Sequence, residues 1–482
     1  MTNRRLSALD ASFLYTEEST LPMHVGSVMI FEPPKEGFTY DQLVALISER
    51  IADLPRYRQR IRYVPGRLAD PVWVDDQTFD LSYHVRRSAL PAPGGDAQLE
   101  EFVARITSRA LDRDRPLWEV YLVEGLQRGR FAIVTKAHQS MVDGINAVDI
   151  AHLLVDADAA EQIRANSPWR PQGEPSDLRL VVDAVADAVR SPGHAVEHLR
   201  HGLRDVSEAG QRVLSLAGGL AATLARVGAR PAPTSPLNAT IGRARRWVLV
   251  STDLADYRTV RSRLARGRYV EDVTIHDVVL ATITGALRTW MQMRGEPVTA
   301  TTTVRAMVPI SVYDESGEHF SGARMTAAFV DLPVGEPNPS MRLHQIAFAM
   351  RQQMETDRAV DAASLASLGG FAPPTLHSLG ARAGGAMTRR LSNLVITNVP
   401  GPQQALYAGG AKMLATYPVM PLGRGQALAI GLTSYDGGVY FGLNGDRDAM
   451  ADLDGLAHAL EESLSELLQS HRSSGGRKKG SS

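Results

Sequence analysis

The stretch FAIVTKAHQSMVDGINAVDIAHLL, residues 131–154, decides the fold. Phe131 to Lys136 has the apolar run of a buried strand, and Ile145 to Leu154 has the apolar spacing of a helix. Between them, KAHQSMVDG places a histidine, a glutamine, an aspartate and a glycine at a strand-to-helix junction. Rigid elements on both sides of such a junction can hold reactive side chains in place. The sequence therefore predicts a functional site here, in a domain that mixes strands and helices.

Bulk composition limits the class of protein. With 482 residues, the chain is too long for one compact core, so we expect two domains. The 52 Lys+Arg and 53 Asp+Glu residues give a formal charge of -1, which favours no nucleic-acid partner. Cysteine is absent, which excludes disulfides, thiolate metal sites and a cysteine nucleophile and fits a cytoplasmic protein. No run of about 18 apolar residues occurs, so any membrane contact is expected to be peripheral.

Strands mixed with helices on both sides of a proline-rich connection favour two layered α/β domains. We predict an N-terminal domain over residues 1–160, a proline-rich and helical connection over 161–237, a C-terminal domain over 238–470 and a flexible tail over 471–482. Within the connection, an apolar stripe of helical spacing runs through Leu178, Val181, Val182, Val185 and Val189. This stripe could pack between the domains or lie on a lipid surface, and both interpretations stay open.

A series of motifs along most of the chain resembles, in order, the bacterial wax ester synthase/diacylglycerol acyltransferase family. The motifs are LSALDASFLY, PMHVG, WVDDQTFDLSYHVRR, LDRDRPLWEVYLVEGL, KAHQSMVDG, SPLNATIGRARR, HDVVLATITGALR, RAMVPISV, FVDLP, SNLVITNVPGP and SYDGGVYFGLNGD. The resemblance implies two chloramphenicol-acetyltransferase-like α/β domains with the signature motif in a channel between them. It also implies transfer of an acyl group from acyl-CoA, a substrate, to diacylglycerol or a fatty alcohol.

The same resemblance implies where the protein works. The expected partner surface is a peripheral membrane or lipid droplet, at the inner face of the plasma membrane or on lipid inclusions. No metal is expected, and no cofactor apart from acyl-CoA as substrate.

The family signature HHxxxDG is present here as HQSMVDG. His138 fills the first histidine position, and Gln139 stands where the family is thought to keep its base. A glutamine amide does not titrate, so Gln139 cannot accept the proton, although it could donate a hydrogen bond to an oxyanion. Asp143 is expected to cap a helix or brace the loop, with Arg305 as a candidate partner. Gly144 would let the backbone pass close to substrate or begin the next helix.

The face that His138 occupies decides whether it can replace the missing base. On a regular strand, His138 would share a face with Val134 and Lys136 and point away from Gln139. Three interpretations stay open: a transferase that uses His138 or Gln139, a weak or altered transferase, and a binder of acyl-CoA or lipid without the chemistry.

Two further motifs supply candidate site residues. Pro116-Leu117-Trp118 precedes a predicted strand, and Trp118 taken alone would be a core aromatic residue. His276-Asp277 opens a strong helix where the family usually has Asn-Asp. His276 is therefore either an ordinary N-terminal helix residue or a base that faces the channel.

Overall fold

The structure is a computed structural model. It describes residues 5–52, 54–142, 150–158, 169–190, 231–264, 273–312, 324–355, 360–361 and 391–473. None of the helices in these ranges is long and apolar enough to cross a bilayer.

Helices and strands alternate through both halves of the chain. The helices are α1 (Ala8–Thr16), α2 (Tyr40–Arg50), α3 (Leu81–His84), α4 (Asp96–Thr107), α5 (Gln139–Val142), α6 (Ile150–Leu153), α7 (Asp177–Arg190), α8 (Leu254–Leu264), α9 (Ile275–Met293), α10 (Pro339–Glu355) and α11 (Leu453–Ser473). The strands are β1 (His24–Glu32), β2 (Gln59–Arg62), β3 (Val72–Asp75), β4 (Val85–Ala89), β5 (Trp118–Glu124), β6 (Phe131–His138), β7 (Arg245–Asp253), β8 (Val304–Val312), β9 (Arg324–Leu332), β10 (Val360–Asp361), β11 (Leu394–Pro400), β12 (Tyr407–Ala408), β13 (Ala411–Val419), β14 (Leu428–Tyr435) and β15 (Gly438–Asp446).

The first sheet has six strands in the order β12-β13-β1-β6-β5-β4. Strand β6 lies between β1 and β5, antiparallel to both, so its backbone is hydrogen-bonded on both edges. Side chains alternate between its faces. Phe131 and Ile133 pack in the core under α1 and α2, and Ala132 and Val134 pack against α4 and β7. The fully buried β6 therefore holds the start of the functional junction rigidly.

The second sheet has seven strands in the order β10-β9-β8-β11-β14-β15-β7. Its three central strands, β8, β11 and β14, run parallel, and the remaining pairs are antiparallel. Helices α9, α10 and α11 supply most of the apolar core that covers one of its faces. Both sheets are thus mixed and helix-covered, as the α/β prediction requires.

Two strands from the C-terminal half belong to the first sheet. Strand β13 pairs antiparallel with β1 from Gly26 opposite Val419 to Glu32 opposite Lys412, and β12 pairs with β13. The sequence boundary at residue 238 follows linker composition and stays a prediction, but strand pairing crosses it. No local pattern reports a partner almost 400 positions away, because the hydrogen bonds of a sheet are not local in sequence.

Helix α7 begins at Asp177, inside the connection predicted to be helical. Leu180 and Ala184 pack against Val64, Val72 and Val74 of the β2–β3 hairpin. The stripe read from the sequence lies on the opposite side, with Leu178, Val182 and Val185 exposed. The interpretation that this stripe packs between domains is therefore wrong for these three residues. The rest of the predicted helical connection, residues 191–230, lies outside the described residues.

Candidate active site

The junction forms where β6 ends at His138 and α5 begins at Gln139. The His138 backbone N–H donates to the carbonyl of Leu117 (2.9 Å), and the Gln139 N–H donates to the carbonyl of Met23 (2.9 Å). Across the β1–β6 pair, His138 lies opposite His24. The start of β1 and the segment before β5 thus fix the backbone at the two key positions.

His138 points into the protein. His138 is only 1% exposed, and it lies on the α4-facing side of β6 with Val134 and Lys136, as strand alternation predicts. The ring therefore has no open path to a substrate in the described structure. This position does not support the interpretation in which His138 itself takes a proton from the acceptor, and that role stays a prediction.

Hydrogen bonds fix the tautomer of His138. The backbone N–H of Ser140 donates to Nδ1 (3.1 Å), and the Ser140 hydroxyl lies 2.7 Å from the same atom. Because Nδ1 accepts, a neutral ring carries its proton on Nε2, which lies 3.7 Å from Oε1 of Glu17. Burial lowers the pKa of His138 to about 4, and this effect outweighs the nearby Glu17 carboxylate. At neutral pH the ring is an uncharged brace.

Glu17 is the centre of a buried polar cluster that the sequence did not single out. Its carboxylate accepts from the Met23 N–H (3.2 Å) and from Nε of Arg113 (3.1 Å), and it lies 3.5 Å from Nε2 of His24. Burial, with the nearby Lys136 and His138, holds the pKa of His24 well below its usual range. Glu17, His24 and Arg113 are at most 96 positions apart in the chain. His24 lies in PMHVG and Arg113 in LDRDRPLWEVYLVEGL, whereas Glu17 lies between two motifs. Together they orient the backbone and the ring of His138.

Gln139 lies at the contact between the two halves. Met23, which accepts its backbone N–H, packs in an apolar cluster with Leu21, Leu422 and Ala429. Two polar contacts also join the halves here. Arg245 donates a hydrogen bond to the carbonyl of Thr20, and Arg424 forms an ion pair with Glu18. Gln139 is partly exposed as a residue, unlike His138, whereas its amide oxygen is buried. Gln139 is therefore at the boundary between the two halves. Asp143 and Gly144 lie outside the described residues, and their roles stay predictions.

Strand β11 presents a partly open face toward this boundary. Leu394 and Ile396 are fully buried under the helices, whereas Thr397 is partly buried and Val399 is 57% exposed. Thr397 lies opposite Gly431 on β14, and a side chain at Gly431 would collide with Met420 and Pro418. Met420 also packs in the apolar cluster that contains Met23, so this partly covered strand face adjoins the boundary and is a suitable wall for an acyl chain.

His276 and Asp277 occupy the first turn of α9. Asp277 completes a capping box, since its carboxylate accepts from the N–H and the hydroxyl of Thr274 (both 2.8 Å). His276 lies 2.9 Å from the Asn398 amide nitrogen through Nδ1, and burial lowers its pKa. Asn398 shares the helix-covered face of β11 with Ile396, opposite Thr397. The structure thus places His276 as an N-terminal helix residue, and its role as a base stays a prediction.

Arg305 forms a two-point ion pair with Asp331 of the FVDLP strand, at 2.6 and 3.0 Å. Its backbone also exchanges hydrogen bonds with Asn393, five residues before Asn398 on β11. That spacing puts Arg305 about 16 Å from the His276–Asn398 contact, at the other end of the strand. The proposed pairing with Asp143 involves a residue outside the described ranges and stays a prediction.

Trp118 is a fully buried core residue. Its indole N–H donates to the carbonyl of Tyr57 (2.8 Å), and its ring stacks on His84 at 4.6 Å. Pro116 and Leu117 complete the motif, and the Leu117 carbonyl accepts the His138 N–H. Through this hydrogen bond, the motif holds the end of β6 at His138 in place. Among the described residues, no cluster of His, Asp and Glu could hold a metal ion.

Two mixed, helix-covered sheets that meet at this junction define an acyltransferase of the chloramphenicol-acetyltransferase-like fold. The fold is also that of the starter condensation domain of rhizomide synthetase RzmA, crystallised with C8-CoA and Leu-SNAC. That domain superposes with a TM-score of 0.54 at 13% identity, over 98% of this chain and 95% of the other.

The chain belongs to the wax ester synthase/diacylglycerol acyltransferase family. The model of the family's catalytic domain matches residues 6–279, and that of its C-terminal domain matches residues 321–468. The probable diacylglycerol O-acyltransferase tgs3 of Mycobacterium tuberculosis H37Rv is 44% identical over 266 residues, 54% of this chain and 96% of that protein. The wax ester synthase/diacylglycerol acyltransferase of Marinobacter aquaeolei VT8 superposes with a TM-score of 0.68 at 29% identity, over 97% of this chain and 100% of the other. These findings confirm the fold class and the assignment as an acyltransferase, and they do not favour a binder without chemistry.

Proposed function

We propose that the protein transfers a fatty acyl group from acyl-CoA to the hydroxyl of diacylglycerol or of a long-chain alcohol. The observation that carries the proposal is the position of Gln139, a partly exposed residue where the two halves meet. Family membership supplies the reaction class, and the apolar wall fits a fatty acyl chain. Both acceptors are insoluble in water, so we place the reaction at a lipid surface, on the inner face of the plasma membrane or on lipid inclusions.

The proposed chemistry is ester formation from a thioester. The acceptor oxygen attacks the thioester carbonyl, a tetrahedral oxyanion forms, the carbon–sulfur bond breaks, and the hydroxyl proton ends on the CoA thiol. Gln139 contributes through its amide, whose NH₂ can donate a hydrogen bond to the oxyanion. His138, held by Ser140 and facing Glu17, acts as a positioning residue for Gln139.

The decisive experiment measures CoA release from palmitoyl-CoA with and without dioleoylglycerol or hexadecanol. Wild-type protein should release CoA only when an acceptor is present. Gln139→His restores a titratable base, and such a base typically contributes about 10²- to 10⁴-fold. We therefore expect kcat to rise at least about tenfold, with a new pH dependence near the pKa of histidine.

Gln139→Ala is the matched control, because it removes the amide without adding a base. Its kcat should fall below that of the wild type, while the melting temperature stays unchanged. If folded wild-type and Gln139→His proteins both bind acyl-CoA but release no CoA with either acceptor, the proposed activity is wrong. If Gln139→Ala turns over as fast as the wild type, the role assigned to the amide is wrong.

A further inference from the structure

Helix α7 is fixed to the first half of the molecule through its inner face. Leu180 and Ala184 fill a small core with the β2–β3 hairpin. At the start of the helix, Arg62 pairs with both Glu174 and Asp177. Apolar and ionic contacts therefore fix the orientation of α7, and its outer face, opposite Leu180 and Ala184, points away from the hairpin.

The outer face is apolar as well. Leu178, Val182 and Val185 follow one another at helical spacing and are 75%, 55% and 55% exposed. Leu68, 59% exposed, follows the turn Pro65–Arg67 that α7 contacts. These four residues, which we name the α7 patch, are half of the eight large apolar side chains exposed in the described part of the chain. Three of them lie on α7 and the fourth follows a turn that α7 contacts, which distinguishes them from scattered surface residues, which are normal.

We propose that the α7 patch docks the protein on a lipid surface. The proposal rests on the proposed function, since diacylglycerol and long-chain alcohols must be collected from such a surface. Within the described ranges no helix can cross a bilayer, and a surface element can make such a contact. A helix held by one face, with an apolar stripe on the other, has the form of an interfacial helix.

The size of the patch argues for lipid rather than a second copy of the chain. The four side chains expose on the order of 400 Å², about half of what each partner buries in a stable dimer. The charges beside the stripe nearly cancel, because Arg179 lies 3.9 Å from Asp183 on the same helix. Docking should therefore be driven by apolar burial and change little with salt.

The test is co-flotation of the full-length protein with phosphatidylcholine vesicles that contain dioleoylglycerol. The variant Leu178→Gln/Val182→Gln/Val185→Gln keeps residues that favour a helix but removes the apolar stripe. We expect its vesicle affinity to fall at least about tenfold, and that of the wild type to persist in high salt. The matched control is Met341→Gln/Phe348→Gln on α10, whose side chains are 51% and 54% exposed, and it should bind like the wild type.

Three results would overturn the proposal. The first is equal flotation of the α7 variant and the wild type. The second is dissociation of an oligomer by the α7 substitutions on size-exclusion chromatography, which would make a second copy the occupant. The third is a lower unfolding temperature with unchanged flotation, which would mean that another part of this chain covers the stripe.

Activity on soluble substrates separates this proposal from the proposed function. The α7 variant should release CoA from octanoyl-CoA with hexanol at the wild-type rate, because the stripe is remote from Gln139 in the chain and is assigned no catalytic role. If the wild type floats through the stripe but has no transferase activity, only the proposed function fails.

Discussion

Acidification should destabilise the first sheet through its buried pair of histidines. Burial lowers the pKa of His138 to about 4 from its ordinary value of 6.5, and that of His24 also lies well below 6.5. In the unfolded chain both rings are in water and titrate normally. Below about pH 6.5 the unfolded state therefore binds protons that the folded state does not, and the free energy of unfolding falls as the pH falls.

The size of the effect for His138 follows from its pKa values in the folded and the unfolded chain. Between about pH 7.5 and about pH 5.5, a histidine that titrates only when unfolded costs about 1.4 kcal/mol. His138 should therefore lower the free energy of unfolding by about 1.4 kcal/mol over this range, and His24 acts in the same direction. For His138 the loss levels off near pH 4, where the folded ring becomes protonated as well.

The assay is urea unfolding of the wild type and of His138→Asn at both pH values. Asparagine places an amide oxygen where Nδ1 accepts from Ser140, but it does not titrate. All other titrating groups are common to the two proteins, so the difference between their pH dependences isolates His138. We expect the variant to lose about 1.4 kcal/mol less than the wild type on acidification. An identical pH dependence in the two proteins would refute the argument that His138 is buried and neutral.

Further substitutions test other contacts. Gly26→Ala would put a Cβ 2.0 Å from the Thr135 carbonyl oxygen, so it should push β1 away from β6 and cost about 2 kcal/mol or more, whereas Gly173→Ala, with open space around it, should be nearly neutral in the same urea unfolding. Asp277→Ala removes the capping box of α9 and should cost about 1 kcal/mol, with Asp277→Asn closer to the wild type; equal stability of all three proteins would argue against the cap. Arg305→Ala removes a pair with a half-exposed Asp331 and should cost less than about 1 kcal/mol; if activity is also intact, the predicted brace to Asp143 is excluded.

Local sequence patterns predicted most of the elements. The strong helix expected to open at His276-Asp277 is Ile275–Met293, and the buried strand expected at Phe131 to Lys136 is Phe131–His138. Both follow from short-range signals, namely the spacing of apolar residues along a helix and a continuous apolar run in a strand. Strand β13 was not predicted, although its alternating burial is regular.

The candidate site was predictable in part. The motif located His138 and Gln139, and strand alternation predicted that the two side chains diverge. Glu17 and Arg113 were missed, since Glu17 lies outside the motifs and nothing in the sequence around Arg113 assigns it a partner. They join the site only because the end of α1, the start of β1 and the segment before β5 meet beside β6.

The sequence by itself determined the family, the α/β class and the loss of a titratable base at position 139, because all three depend on residue identity and local order. Tertiary structure alone decided that His138 is a neutral, buried brace, that β13 joins the sheet of the other half, and that the apolar stripe of α7 faces outward. These outcomes depend on which distant surfaces pack together. Neighbours that are distant in the chain bury a group and so shift its pKa, or leave an apolar stripe exposed. The period of a helix or strand indicates that its two faces differ, but it does not indicate what covers each face.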